Sequence, residues 1–169
     1  MNSKPLYRSM AVANWFIDHV SKITPLKLQK LIYYAHGWNL ALRDGPLIDE
    51  LVEAWEYGPV VPSVYHEFKR YGNQPIAEHG TVIEMSPDRK IRIFAPEIPV
   101  QDEGTGKLLD KIVEVFGSRS ALQLSADTHQ AGTPWSKTRE KNPNRKNVDI
   151  PDESIQQYFK RIAAQSKAK

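Results

Sequence analysis

Apolar positions along the chain fall mostly at helical spacing, with short stretches of alternation between them. Val12, Trp15, Phe16, His19 and Val20 recur at i, i+3, i+4, i+7 and i+8, which is one face of a helix predicted over residues 7–20. On that face His19 reads as a partly buried imidazole with its hydrogen bonds satisfied. A second helix, over residues 25–42, carries the clearest start signal. Thr24 can cap it, and Pro25 at the first helical position has no N–H to leave orphaned. Ile23 and Leu28 are spaced to form a hydrophobic staple across the cap. Leu28, Leu31, Ile32, Ala35 and Trp38 or Asn39 continue the stripe, whereas Lys27 and Lys30 lie off it and are expected to face water. Asp44-Gly45-Pro46 ends the helix, and the two helices are expected to pack as an antiparallel pair.

Residues 47–55 are apolar and partly alternating, which suggests a strand or extended run. Tyr57-Gly58-Pro59-Val60-Val61-Pro62 cannot be helix interior, because two prolines and a glycine interrupt it. Pro62 is placed to open a third helix with Val64, Tyr65, Phe68 and Tyr71 inward and Gly72 as its stop. Residues 81–85 and 91–95 flank Ser86-Pro87-Asp88-Arg89-Lys90 and read as a hairpin. Further helices are expected over residues 107–116, after the capping box Ser120-Ala121-Leu122-Gln123, after Thr133-Pro134, and over residues 152–164. Residues 165–169 should fray. The fold class is therefore mainly α (α+β), a compact helical domain of about five to seven helices with a small antiparallel β hairpin. Without repeats or linkers, residues 1–169 read as a single domain, with a core at about 9–160 and a basic tail at 161–169.

Composition narrows the chemistry. The 169 residues include no cysteine, which excludes disulfides, thiol nucleophiles, cysteine zinc sites and iron–sulfur clusters and fits a reducing cytoplasm. Neither a signal peptide core nor an apolar run of membrane length occurs, so no membrane contact is expected. Residues 137–169 hold nine Lys or Arg against four Asp or Glu. This basic end reads as a solvated tail, although it could attract nucleic acid or an acidic protein.

Enzyme motifs are missing. Gly104-Thr105-Gly106-Lys107 is too short for a phosphate loop, and His66-Glu67 has no histidine at position 70. The five histidines show no helical metal-ligand spacing, so no metal and no cofactor are expected. Asp127-Thr128-His129 gathers an acid, a hydroxyl and an imidazole, but residues so close in sequence make a poor relay. A hydrolase would need a polar pocket around His129. Nucleic-acid binding is also disfavoured: the second helix offers only Lys27 in its first turn as a base-reading side chain, and apart from Trp135 the tryptophans lie away from the basic residues.

Aromatic placement points elsewhere. Tyr33, Tyr34 and Trp38 lie around the second helix and are not expected all to share its inward face, while Trp55, Tyr57 and Tyr65 surround the stiff Gly58-Pro59 corner. Such residues anchor protein interfaces, since they bury a large area with few rotors. The segments Ile23-Thr24-Pro25-Leu26-Lys27-Leu28-Gln29-Lys30-Leu31-Ile32-Tyr33-Tyr34-Ala35 and Glu53-Ala54-Trp55-Glu56-Tyr57-Gly58-Pro59-Val60-Val61-Pro62-Ser63-Val64-Tyr65, followed by Thr128-His129 and Pro134-Trp135, resemble the Panacea domain. That family includes SocA-like antitoxins and GepA-type prophage-associated proteins. The resemblance implies a non-catalytic antitoxin that neutralises a toxin encoded beside it by direct contact. In one branch it also implies delivery of the toxin to the ClpXP protease. Candidate partner-binding residues are Tyr33, Tyr34, Trp38, Trp55, Tyr57, Tyr65, His129 and Trp135. Thr24, Pro25, Gly58, Pro59 and Pro62 are expected to shape the corner rather than touch the partner.

Overall fold

A computed structural model describes residues 6–167. The elements run α1 (Ser9–His19), α2 (Pro25–Arg43), β1 (Val52–Trp55), β2 (Gly58–Val60), α3 (Pro62–Phe68), a 3-10 turn (Lys69–Tyr71), β3 (Val82–Met85), β4 (Ile91–Phe94), α4 (Glu103–Phe116), α5 (Ala121–Thr128), α6 (Pro134–Lys141), β5 (Val148–Ile150) and α7 (Asp152–Lys167). The fold is mainly α with a small β part, as the periodicity implies. Two antiparallel sheets carry that part, one ordered β2-β1-β5 and one pairing β3 with β4. The β3–β4 hairpin lies where it is expected. The three-stranded sheet is not foreshadowed, since β2 contains a proline and both β2 and β5 are only three residues long.

Helix α2 runs through the middle of the domain, packed by α1, α3, α4, α5, α7 and β2. This position overturns two expectations. Tyr33 and Tyr34 are both buried, and Trp38 is half-buried. A helix enclosed on every side has no single inward face, so the ring of aromatics around it is core. Lys30 is fully buried, and the half-buried Lys27 donates from Nζ to the Gly117 carbonyl at 2.5 Å. Neither lysine faces open water.

The caps form largely as the sequence dictates. Thr24 Oγ1 accepts from Lys27 N, Thr133 Oγ1 from Ser136 N, and Ser120 and Gln123 complete a capping box. Helix α4 begins earlier than expected. Asp102 Oδ1 accepts from Thr105 N at 3.0 Å and caps the glycine-containing first turn. Helix α1 starts two residues late, because Tyr7 bridges to Ile48 in extended backbone. His19 is exposed, not partly buried: its ring stacks on Trp15 at 3.7 Å and its Nδ1 lies 2.7 Å from the Trp15 carbonyl. Helix α7 continues through residues 165–167, which were expected to fray. The last two residues of the basic tail lie outside the described residues.

Buried polar side chains lock the layers together. Asn14 donates to the Gly80 and Pro96 carbonyls and accepts from Gly80 N, tying α1 to the base of the β3–β4 hairpin. His36 accepts from Leu47 N at Nδ1 and presents Nε2 to Asp152 Oδ1 at 2.9 Å, fixing the start of α7 against α2.

Candidate functional site

The chain reverses between β1 and β2 at Glu56-Tyr57, with Trp55 paired to Gly58. Gly58 sits at φ +110°, a region closed to residues with a Cβ. The carbonyls of residues 55–61 draw donors from other elements. Side chains supply them one after another. Trp135 Nε1 donates to the Trp55 carbonyl at 2.7 Å, and Ser125 Oγ to the Tyr57 carbonyl at 3.0 Å. His129 Nε2 lies 3.1 Å from the Glu56 carbonyl, and Lys30 Nζ donates to the Pro59 carbonyl at 3.2 Å. Gln29 closes the series by donating to the Val61 carbonyl at 3.2 Å and accepting from Val61 N at 2.8 Å. Three helices thus grip one corner through its backbone.

Lys30 is the unusual member. Its ammonium is wholly buried and, among the described residues, pairs with no carboxylate, and burial pulls its pKa down from 10.5 to about 7. The space it uses exists because residue 58 is glycine. A Cβ there would stand 2.5 Å from Lys30 Nζ and 2.9 Å from Thr128 Oγ1. Gly58→Ala is therefore expected to cost about 2–3 kcal/mol, from the positive φ together with the clash, read as a shift in a urea denaturation curve.

The outer side of the corner carries the aromatics. Tyr57 is 69% exposed and Tyr65 is 37% exposed. The half-buried Trp55 meets the Tyr65 ring edge-on at 4.7 Å, with its Nε1 donating to Glu53 Oε2 at 2.6 Å. These side chains flank an open groove of about 740 Å³ whose floor is Leu28, Val60, Val64 and Phe68. Pro25 and Leu26 also line it, and its charged lining is Lys69, Arg139, Lys146 and Glu56.

The fold divides the eight candidate partner-binding residues into three groups. Trp55, Tyr57 and Tyr65 share the groove. His129 and Trp135 lie behind it, half-buried and packed on each other at 3.9 Å, spending their polar atoms on the corner. Tyr33, Tyr34 and Trp38, expected as partner-binding residues, instead surround Phe159 in the interior and do not join the surface patch. Of the corner residues, Thr24 caps α2, Pro25 opens it, Pro59 sits in β2, and Pro62 opens α3. The Asp127-Thr128-His129 triplet forms no relay: Asp127 pairs with Arg119 at 2.5 Å, Thr128 Oγ1 lies 3.4 Å from His129 Nδ1 but donates to the Ser125 carbonyl, and His129 faces two carbonyls. Gln29, Lys30 and Ser125 were not foreseen in these roles. The signal for them is the corner itself, because a segment with Pro59 and Pro62 has carbonyls in excess of N–H groups and needs outside donors.

Comparison with known proteins fits this geometry. A family model described as "Antitoxin SocA-like, Panacea domain" matches residues 28–136. That stretch contains every donor and every acceptor of the clamped corner. Antitoxin SocA of Caulobacter vibrioides is 33% identical over 129 residues, covering 74% of this chain, and the match spans 66% of that protein's length. No solved structure matches significantly. Residues from all the sequence motifs meet at one corner of the fold, and the chain belongs to the SocA-like Panacea-domain family.

Proposed function

We propose that this chain is a non-catalytic antitoxin that neutralises a protein toxin by docking it on the Trp55–Tyr57–Tyr65 groove and covering the toxin's working surface. The similarity to an antitoxin supports the role, and the observation that carries the site is the clamped corner. Side chains from α2, α5 and α6 fix the backbone of residues 55–61, leaving aromatic rings on the outside already in place. Pre-fixed anchors lose little entropy on binding, which suits a docking surface. No helix among the described residues is long and apolar enough to cross a membrane, and the reading places the encounter in the cytoplasm.

The test is co-expression with the product of a neighbouring gene. That product should arrest growth alone and be harmless beside this chain. Tyr57→Ala should weaken the complex by about 2 kcal/mol, roughly thirtyfold in Kd by calorimetry, with the circular dichroism spectrum unchanged. Unchanged affinity in both Tyr57→Ala and Trp55→Ala would remove the groove from the interface. Delivery to ClpXP is a separate step, tested by following the toxin's half-life in cells with and without that protease.

A further inference from the structure

We infer that the groove receives a partner segment that is apolar along its middle and acidic at its flanks, an inference that rests on the docking reading above. The accessible apolar lining is Pro25, Leu26, Trp55, Tyr57 and Tyr65, with Leu28, Val60, Val64 and Phe68 buried beneath it, so the inserted side chains must be aliphatic or aromatic. The charged lining supplies the sign. Lys69 comes from the 3-10 turn, Arg139 from α6 and Lys146 from the turn before β5, opposed in the groove lining by Glu56 alone. Some cations elsewhere are matched: Arg8, Arg70, Arg119 and Lys160 each hold a carboxylate. Among the described residues the three groove cations hold none, and Arg139 spends Nη1 on the Arg145 carbonyl. Unmatched positive charges around an apolar trough favour carboxylates placed just beyond the buried side chains.

A single-stranded nucleic acid fits less well. The Trp55 and Tyr65 rings stand edge to face, at 63°, rather than as parallel platforms.

The experiment is selection of a phage-displayed library of random peptides on the full chain, with Tyr57→Ala as the counter-target. Enriched sequences should place Asp or Glu beside Leu, Phe or Trp. Synthetic copies should lose roughly tenfold affinity on Lys69→Glu/Lys146→Glu and weaken with added salt. Enrichment of neutral or basic peptides that still need Tyr57 overturns the acidic partner and leaves groove docking intact. Failure to enrich anything against the Tyr57→Ala control overturns both, while the antitoxin role is still read separately by growth rescue. Labelled oligo(dT) binding more tightly than every selected peptide, and released by Tyr57→Ala, would assign the groove to nucleic acid and overturn the inference.

Discussion

Between pH 7 and 9.5 the unfolding free energy of the chain is expected to rise, with roughly 3 kcal/mol of that rise due to Lys30 alone. The folded pKa of Lys30 is lowered to about 7 by burial, against 10.5 for the free side chain. Below pH 7 both states carry the proton, and the folded state bears the full cost of a buried ammonium. Above pH 7 the folded state releases the proton while the unfolded state retains it, so stability climbs until the unfolded lysine also titrates. Each pH unit in that window is worth about 1.4 kcal/mol. Burial raises the pKa of Tyr33 and Tyr34, and this acts in the opposite sense only once unfolded tyrosine ionises near pH 10. The window should therefore stop short of that value. Lys27, also lowered by burial, contributes with the same sign as Lys30 and cancels when variant is compared with wild type.

Lys30→Met isolates the effect. Methionine fills similar space without an ionisable group, so the variant should lack the Lys30 share of the slope. At pH 6.5 it should be more stable than wild type by about 2 kcal/mol, because relief of the buried charge exceeds the loss of one bond to the Pro59 carbonyl. Urea denaturation at several pH values measures both quantities. Parallel pH profiles for the two proteins would mean that Lys30 titrates normally. A less stable variant at low pH would mean that the corner needs the ammonium more than the ammonium needs water.

Local signals in the sequence reached the local structure and stopped there. Thr24, Ser120 and Thr133 announce helix starts because a cap is decided within four residues. The β3–β4 hairpin is legible for the same reason. Burial of Lys30 is not, since it depends on what α5 and β2 place over one side of α2, and helical periodicity describes only one face at a time. The same global fact explains Tyr33 and Tyr34. Their positions would scatter them around an amphipathic surface helix, yet α2 is enclosed by neighbours far along the chain. β2 and β5 leave no periodic signal because three residues are too few for alternation to show. At the site, Trp55, Tyr57 and Tyr65 were legible as a group because they flank a corner marked by Gly58 and Pro59. The grip of His129 and Trp135 on that corner follows from tertiary contact alone.

Helix α2 meets α7 along the most extensive helix–helix contact of the fold, and one ring decides it. Phe159 lies over Gly37, with Tyr33, Tyr34, Trp38 and Tyr158 arranged edge-on around it at 5.3–6.1 Å. A Cβ on residue 37 would stand 2.6 Å from Phe159 Cζ and closer still to two other ring atoms. Gly37→Ala is accordingly expected to destabilise the protein by about 3 kcal/mol, although alanine is intrinsically favoured over glycine in a helix by ~1 kcal/mol. Phe159→Ala should cost about 3–5 kcal/mol by opening a cavity among the four neighbouring rings. The two effects have opposite geometric origins, overfilling and emptying of the same space, so they should not add. Phe159→Leu shortens the side chain where the new methyl would stand. Combined with Gly37→Ala it should recover about 1–2 kcal/mol relative to the sum of the single variants in a urea double-mutant cycle. Strict additivity would show that α7 simply slides away from α2. Because this seam lies away from the groove, all these variants should bind a partner docked on the groove with unchanged affinity wherever they remain folded. A matching loss of affinity would instead show that the corner and the α2–α7 seam form one cooperative unit joined through α2.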